Sequence, residues 1–330
     1  MKKIFVSKQQ GIGDVVLATP VLEAIKKCFP KCELTLMTFP NAVQAVAELP
    51  FIDHVFSYDK RKDSVWSVIK AMNGSDAAIF LDLQYRPPML ATLARVPIRV
   101  GLSHKRAFWL THQQPWSEWM DHTYEPEVNR RILNDLLGWE LPSMKNAKPI
   151  LAQSVEKDQK VAKKLLSDAG IYGQYIVSSP QTAFFLKDWE LNKWQGLYDL
   201  ILNKWGIPIV IVGNRTLPFS LEKPGIVDLS GKTNLSQMIY LISKAQLLIN
   251  SCSLPVHIAA AADVPSVVLY GYGDSERWAP RNRCRVVNAG LACSPCDGYI
   301  GSTCLDPLCM KAIQVEDVWQ ACEAIANETR

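Results

Sequence analysis

The chain has 330 residues, of which 48% are hydrophobic and 21% charged, with a formal net charge of +4 at pH 7. These values fit a globular protein of about two domains, and the charge is too small to indicate a nucleic-acid partner. There is no apolar run of about 18 residues and no signal-peptide pattern, and there are nine cysteines, so we expect a cytoplasmic protein with reduced thiols.

The first predicted strand, Lys3–Ser7, runs into Gly11-Ile12-Gly13-Asp14 and then into an amphipathic helix. Two glycines permit a tight turn, and N–H groups at the start of a helix suit an anion. The dinucleotide-binding fingerprint fails because Val16 stands at the place of its third glycine, and there is no Walker lysine. The turn alone leaves two interpretations open, a plain connection and a site that uses Asp14. Pro20 predicts a local kink in the helix.

The rest of the first half alternates apolar runs with amphipathic segments. Its predicted strands are Glu33–Thr38, His54–Tyr58, Ala77–Leu83 and Ile98–Leu102. Its predicted helices are Asn41–Glu48, Ser64–Met72 and Pro126–Leu137. The polar, proline-containing run Leu141–Pro149 is the predicted domain boundary, which gives domains at residues 1–145 and 146–330.

The second half continues the same alternation. Its predicted strands are Tyr175–Ser179, Pro208–Val212, Leu247–Asn250 and Ser266–Tyr270. Its predicted helices are Val155–Ala169, Asn192–Lys204, Leu235–Ser243, Pro255–Ala262 and Val315–Ala326, the last a candidate to pack back on the first domain. The alternation predicts an α/β protein with two Rossmann-like domains of parallel strands facing a cleft.

A helix start after the strand that ends at Asn250 is a candidate binding site. Ser251 and Ser253 are suitable N-caps, and the N–H groups of the helix suit a diphosphate. His257 lies one turn inside this helix, where a buried histidine with a purely structural role is the alternative. A further turn, Gly271-Tyr272-Gly273-Asp274, follows the next strand, so the pair favours nucleotide binding.

Four cysteines have the spacing Cys293-x2-Cys296-x7-Cys304-x4-Cys309. Four thiolates suit tetrahedral zinc or an iron centre, so a structural metal is one interpretation. Free thiols and a disulfide are the alternatives that the spacing leaves open.

Basic residues are interleaved with tryptophans between positions 86 and 119. They are Arg86, Arg95, Arg99, Lys105 and Arg106, with Trp109, Trp116 and Trp119. Such a mixture suits a phosphorylated glycolipid at a membrane surface, with arginines gripping phosphates or carboxylates in a bidentate manner. Solvated charges and core tryptophans are the alternative.

Several stretches together resemble glycosyltransferase family 9, the heptosyltransferase family of lipopolysaccharide core assembly. The matching stretches, in family order, are Gly11–Pro20, Lys187-Asp188-Trp189, Leu229–Leu235, His257–Ala261 and Asp274–Pro280. The resemblance implies a GT-B fold, an inverting mechanism and an ADP-heptose-like donor. It also implies an N-terminal domain that binds the acceptor and a C-terminal domain that binds the donor.

The resemblance also assigns residues by position. Asp14 matches the general base that takes a proton from the acceptor hydroxyl, and Lys187 matches a lysine that faces the donor diphosphate and makes a catalytic metal unnecessary. The donor site implied in this way comprises Thr182, Ala183, Lys187, Cys252, Ser253, Leu254 and His257. The predicted acceptor side comprises Gly13, Arg86, Arg99 and Arg106. The cysteine-rich segment is similar to one in many members, and some autotransporter heptosyltransferases bind iron through cysteines.

The chain departs from the family pattern at the donor site. Cys252-Ser253-Leu254 stands where the family usually has Asp-Ser/Thr-Gly, and Asn214-Arg215-Thr216 stands where an acidic residue often meets the ribose. We therefore predict a glycosyltransferase that moves heptose to a lipopolysaccharide-type glycan, peripheral on the inner face of the cytoplasmic membrane. The alternatives are a transferase with another nucleotide sugar or a protein acceptor, and a non-catalytic nucleotide-sugar or glycan-binding module.

Overall fold

The computed structural model describes residues 1–217, 223–296 and 304–328. It divides into two compact units, Met1–Ala152 and Gln153–Arg330. The division follows Ala152 because the preceding residues bond back onto the first unit. The Ile150 N–H donates to Thr19 Oγ1 at 2.8 Å, and the Ala152 N–H donates to the Ala45 carbonyl at 2.9 Å.

The first unit is a six-stranded parallel sheet with helices between the strands. Its strands are β1 (Lys3–Ser7), β2 (Glu33–Thr38), β3 (His54–Ser57), β4 (Ala77–Phe80), β5 (Ile98–Leu102) and β6 (His112–Gln114), in the order β3-β2-β1-β4-β5-β6. Its helices are α1 (Ile12–Cys28), α2 (Val43–Val46), α3 (Val65–Met72), α4 (Arg86–Leu93) and α5 (Glu125–Leu137). Every strand pair is parallel, as crossover connections through helices require.

Helix α1 is continuous across Pro20. Proline has no N–H, so the Val16 carbonyl loses its usual donor four residues on. The hydroxyl of Thr19 donates to that carbonyl at 2.7 Å and accepts the Ile150 N–H. One side chain therefore supports the helix at its weak point and ties the end of the unit to it.

The second unit is also a six-stranded parallel sheet. Its strands are β7 (Ile176–Ser179), β8 (Ile209–Ile211), β9 (Ile226–Asp228), β10 (Leu247–Ser251), β11 (Ser266–Leu269) and β12 (Cys284–Val287), in the order β12-β11-β10-β7-β8-β9. Its helices are α6 (Glu156–Asp168), α7 (Leu191–Trp205), α8 (Leu235–Ser243), α9 (Leu254–Ala261), α10 (Ser275–Trp278), α11 (Leu308–Ala312) and α12 (Val315–Glu328).

The C-terminal helix α12 packs within the second unit, against α7, β11 and β12. Its buried residues Val318, Trp319 and Cys322 join the same apolar cluster as Trp194 of α7. Burial of that apolar face fixes the helix to this sheet.

The predicted α/β class with parallel sheets is confirmed, and all eight interior strands lie where the sequence places them. The sequence missed three edge strands, β6, β9 and β12, because three or four residues with mixed exposure carry little periodic pattern. It also missed α4, whose Pro87 and Pro88 occupy the first turn, where proline is tolerated. Within the described residues, no helix has the length and hydropathy of a membrane span.

Candidate functional site

Asp14 lies in the first turn of α1, just beyond the carboxyl end of β1. Its carboxylate turns back over Gly11: a Cβ built on Gly11 would stand 2.7 Å from Asp14 Oδ2. Gly11 is the N-cap of α1 and makes no side-chain cap, and Gly13 and Asp14 are both partly exposed. The turn therefore keeps a carboxylate near the surface at the start of a helix.

Buried charged groups support this turn from beneath. Lys8 is fully buried, and its Nζ donates to the Leu81 carbonyl at 2.6 Å and to Glu125 Oε1 at 3.1 Å. Asp82 Oδ2 accepts hydrogen bonds from the Ser7 hydroxyl at 3.2 Å and from the Gln9 N–H at 2.8 Å. The ends of β1 and β4 are thus joined by charge-assisted bonds, which fixes the path of the chain into the turn.

In the second unit, Asn250 connects the ends of two neighbouring strands to the start of α9. Its Oδ1 accepts the Ser179 N–H at 2.9 Å, and its Nδ2 donates to Ser253 Oγ at 2.8 Å. Ser253 is the N-cap of α9, as predicted, but its hydroxyl makes no cap bond to the helix. The Ser251 hydroxyl is buried and has no hydrogen-bond partner within the described residues. The first turn of α9 therefore keeps N–H groups that its N-cap side chain does not use.

His257 lies in α9 with only 5% of its surface exposed. Burial, with a further contribution from the nearby positive charge of Lys187, lowers the pKa of His257 to about 4. The imidazole is therefore neutral near pH 7, and its Nδ1 has no partner among the described residues. Lys187 and His257, which are seventy residues apart in sequence, therefore lie near enough in the fold for the lysine charge to act on the imidazole.

The loop after β7 holds Thr182 in place by several bonds. Its N–H donates to Asp188 Oδ1 at 2.8 Å, its hydroxyl donates to the Phe184 carbonyl at 2.8 Å, and its carbonyl accepts from Arg215 Nη2 at 3.1 Å. Trp189 follows Asp188 in the Lys187-Asp188-Trp189 motif. It is buried, and its Nε1 donates to the Ile313 carbonyl at 3.0 Å. Asp188 and Trp189 thereby fix a loop in which Lys187 is partly exposed.

Comparison with known proteins identifies the family. A family model described as glycosyltransferase family 9 (heptosyltransferase) matches residues 65–301. The chain belongs to glycosyltransferase family 9. The resemblance predicted from the sequence is confirmed, and with it the assignment to the glycosyltransferases.

Relatives within this family align along most of the chain. Lipopolysaccharide heptosyltransferase 3 of Escherichia coli is 26% identical over 292 residues, which cover 81% of this chain and 83% of that protein. The structure of a family 9 glycosyltransferase from Veillonella parvula has a TM-score of 0.83 at 21% identity, covering 99% of this chain and 98% of the other. E. coli ADP-heptose LPS heptosyltransferase II has a TM-score of 0.76 at 16% identity, covering 100% and 99%. The predicted GT-B fold is confirmed.

The family stretch Leu229–Leu235 has a structural role in this glycosyltransferase. Gly231 has φ of +70°, and a Cβ there would stand 2.9 Å from the Thr216 backbone nitrogen, so a larger residue would collide with the loop after β8. Asn234 closes a capping box at α8 with Gln237. The stretch therefore places the Asn214-Arg215-Thr216 loop beside β9.

The other predicted donor residues occupy the same edge of the sheet with different exposure. Cys252 is buried, with its thiol 3.9 Å from the position of a Cβ on Gly273. Leu254 is the first residue of α9 and is partly exposed, whereas Ala183 is exposed. The Cys252 thiol, just before α9, therefore lies next to the turn that contains Gly273.

The three predicted acceptor arginines lie in different environments. Arg86 is exposed at the first position of α4, and Arg99 is partly buried, with Nε donating to the Trp109 carbonyl at 2.8 Å. Arg106 has 1% of its surface exposed, and donates to the Leu102 and Gln84 carbonyls at 2.8 and 2.9 Å. Burial lowers the pKa of Arg106 to about 10, so it stays charged. In this conformation Arg106 holds backbone together and does not face solvent.

Three of the four clustered cysteines are close to the Gly271-Tyr272 turn. The Cys296 N–H donates to the Tyr272 carbonyl at 3.2 Å, and Ser294 Oγ, next to Cys293, donates to the Gly271 carbonyl at 2.6 Å. A Cβ on Gly271 would lie 2.7 Å from Cys309 Sγ. Burial raises the pKa of the Cys309 thiol, and the other three cysteines add to this rise.

These thiols share a neighbourhood, but they do not form a ligand cage. Within residues 1–217, 223–296 and 304–328, no group of three or more His, Cys, Asp or Glu side chains is placed to hold a metal ion. The segment 297–303, which joins Cys296 to Cys304, lies outside the described residues. Thiolate sulfur is a suitable ligand for zinc or iron. In this conformation, however, the four thiols are not arranged around a common metal position.

The sequence does not reveal two residues that organise the edge of the second sheet where the donor residues are predicted. The sequence predicts Asn250 only as the end of a strand, and the role of its side chain follows from the pairing of β10 with β7. Arg215 stands in the sequence only as part of a departure from the family pattern, and its bond to the Thr182 carbonyl needs two loops brought together by neighbouring strands. Neither role has a signal in the local sequence.

Proposed function

We propose that this glycosyltransferase moves a heptose from an ADP-heptose-like donor to a lipopolysaccharide-type glycan, with inversion at the anomeric carbon. The main support is the grouping of Thr182, Lys187, Ser253 and His257 at one edge of the second sheet in a member of family 9. Ligands of open α/β sheets bind at the carboxyl ends of the strands, which is where these residues lie. The named relatives, which act on heptose and lipopolysaccharide, support the same choice of substrates.

The proposed mechanism assigns each proton and charge. Asp14 accepts the proton of the acceptor hydroxyl while that oxygen attacks the anomeric carbon. The bond from that carbon to the diphosphate breaks, and the nucleoside diphosphate leaves with an additional negative charge. Lys187 and the N–H groups of α9 stabilise this charge. His257, being neutral, provides hydrogen bonds without adding a charge.

The role of Asp14 is tested by Asp14→Asn, with Asp168→Asn as the control for the same chemical change at an exposed position of the second unit. The amide cannot accept the proton, so we expect transfer from ADP-heptose to fall at least about a thousandfold while ADP binding, measured by calorimetry, stays within about twofold. The control variant should keep full activity. Full activity in Asp14→Asn would contradict the assignment.

A panel of nucleotide sugars and glycan acceptors tests the substrate assignment. We expect turnover with ADP-heptose and weaker turnover with other donors. Turnover with a different nucleotide sugar, or with a protein acceptor, would replace the proposed substrates. Donor binding without transfer or hydrolysis on any member of the panel would establish a binding module instead.

We also propose that Cys293, Cys296, Cys304 and Cys309 bind a structural zinc or iron, which requires their thiols to draw together from the arrangement described above. The support is their shared neighbourhood at the Gly271-Tyr272 turn and the affinity of thiolates for these metals. Elemental analysis of the purified protein should give about one metal equivalent per chain. Cys296→Ser should lose it, whereas Cys28→Ser, at an exposed cysteine in the first unit, should keep it. A metal content far below one equivalent would remove the proposal.

A further inference from the structure

An exposed aromatic surface stands out on the first unit. Phe108 has 86% of its surface exposed, Leu93 60% and Tyr85 50%. Large apolar side chains exposed together mark a surface that is covered by a partner or a membrane. We call the surface formed by Tyr85, Arg86, Leu93, Arg95, Lys105 and Phe108 the aromatic–basic surface.

Contacts with Trp109 join Tyr85 and Phe108 of this surface into one platform. The Trp109 ring meets the Phe108 ring edge-on at 5.1 Å between centroids, and its Nε1 donates to the Tyr85 hydroxyl at 2.9 Å. The Trp109 carbonyl accepts from Arg99 Nε at 2.8 Å and from the Thr92 hydroxyl at 3.4 Å. Leu93 follows Thr92 at the end of α4, so the helix end and the Ala107–Trp109 turn are fixed side by side.

The segment that carries this platform has charges of one sign. Residues 83–117 contain no Asp or Glu, but contain Arg86, Arg95, Arg99, Lys105 and Arg106. Arg86, Arg95 and Lys105 are exposed. The carboxylate just before the segment, Asp82, is buried and accepts bonds from Ser7 and Gln9. The exposed positive charge around the platform is therefore not neutralised by acids of the same segment.

We propose that the aromatic–basic surface docks on an anionic lipid bilayer. Aromatic side chains with a polar tip lie favourably at the boundary between headgroups and acyl chains, and Lys or Arg beside them attract anionic headgroups. Phe108 and Leu93 enter the boundary, Tyr85 and Trp109 lie at headgroup level, and Arg86, Arg95 and Lys105 meet lipid phosphates. The inference deepens the proposed function, because a lipid-linked acceptor would be reached from such a surface.

Sedimentation with vesicles tests this docking without donor or acceptor. We expect the full-length protein to bind vesicles containing about one-third phosphatidylglycerol in phosphatidylcholine, and to bind pure phosphatidylcholine at least tenfold more weakly. The double variant Phe108→Ser/Leu93→Ser should lower the partition coefficient at least about tenfold through lost apolar burial. The variant Arg95→Gln/Lys105→Gln should lower it by about fivefold per charge at low salt, and much less at high salt.

Two controls separate docking from folding. Tyr172→Ser removes an aromatic that is 84% exposed in the second unit and should leave vesicle binding unchanged. Phe108→Trp should bind vesicles as the wild type does, because tryptophan also suits the interface. Circular dichroism establishes that each variant is folded.

Three results would overturn the proposal: no binding to anionic vesicles, binding that both double variants leave unchanged, or binding that a soluble glycan acceptor abolishes. Transfer to a water-soluble acceptor fragment is measured separately. If the wild-type protein does not transfer heptose to this fragment, the proposed reaction is contradicted. The vesicle result still decides on docking.

Discussion

His257 and Arg106 are both polar side chains that the fold removes from water. The sequence indicates a histidine one turn into a helix and an arginine in a basic, tryptophan-containing segment. In the structure the histidine is 5% exposed and the arginine 1% exposed. Their burial comes from neighbours far along the chain, and it changes what each residue can do. His257 is held in its neutral form, and Arg106 becomes a support for the backbone at Leu102 and Gln84.

The low pKa of His257 predicts a pH-dependent stability. The unfolded chain protonates this histidine near pH 6.5, whereas the folded chain does so only near pH 4. Between these values the unfolded state binds more protons, so the contribution of His257 to the free energy of unfolding falls as the pH drops from about 6.5 to about 4. From pH 7 to pH 5 the loss should be about 2 kcal/mol. Urea unfolding at the two pH values measures it.

Two variants isolate the contribution of this residue. In His257→Gln the loss between pH 7 and pH 5 should shrink by about 2 kcal/mol. In His54→Gln, at a side chain that is 63% exposed, the loss should stay as in the wild type. Equal losses in wild type and His257→Gln would contradict the buried, neutral histidine.

At the scale of elements, edge strands and helix starts show which structural features a local sequence pattern predicts and which it does not. Interior strands such as β1 and β10 are buried along nearly their whole length, and their apolar runs predict them well. The edge strand β9 is only partly buried at each of its three residues, so its pairing with β8 decides its existence. The N-cap of α9 was predicted at the right residue, but the bond that its hydroxyl makes depends on Asn250 of the preceding strand.

Helix α1 provides a prediction at this scale. Thr19→Val keeps the side-chain volume but leaves the buried Val16 carbonyl without its hydroxyl donor and removes the acceptor of the Ile150 N–H. We expect a loss of about 2 kcal/mol in the free energy of unfolding. The matched control is Thr38→Val, because the Thr38 hydroxyl is buried and has no hydrogen-bond partner within the described residues. That variant should be neutral or slightly stabilising, and equal losses at both sites would contradict the support assigned to Thr19.

At the scale of the whole molecule, the chain forms two units with separate apolar clusters. Val68 belongs to a cluster built from strands and helices of the first unit, and Val318 to one built from the second. The C-terminal helix contributes to the second cluster only through side chains that pack on α7 and the neighbouring sheet. Two cores of this kind predict two thermal transitions rather than one.

Calorimetry can assign each transition and locate the nucleotide. Val318→Ala and Val68→Ala each truncate a fully buried side chain and should cost about 2 kcal/mol, one in each unit. ADP should raise the transition that Val318→Ala lowers, because a ligand stabilises the unit that binds it. The transition lowered by Val68→Ala should respond less. An ADP effect confined to the Val68 transition would contradict donor binding by the second unit.

The sequence by itself determined the α/β class, the interior strands, most of the long helices and the family, because apolar periodicity and short motifs are local properties of the chain. It also proposed Asp14, Lys187 and His257 as site residues. The tertiary structure decided which residues become neighbours: the charge of Lys187 acts on His257, and Arg215 bonds to the Thr182 carbonyl. It also decided that Arg106 is buried while Phe108 is exposed. The reason is that contacts and burial depend on which strands become neighbours, and no short stretch of sequence contains that information.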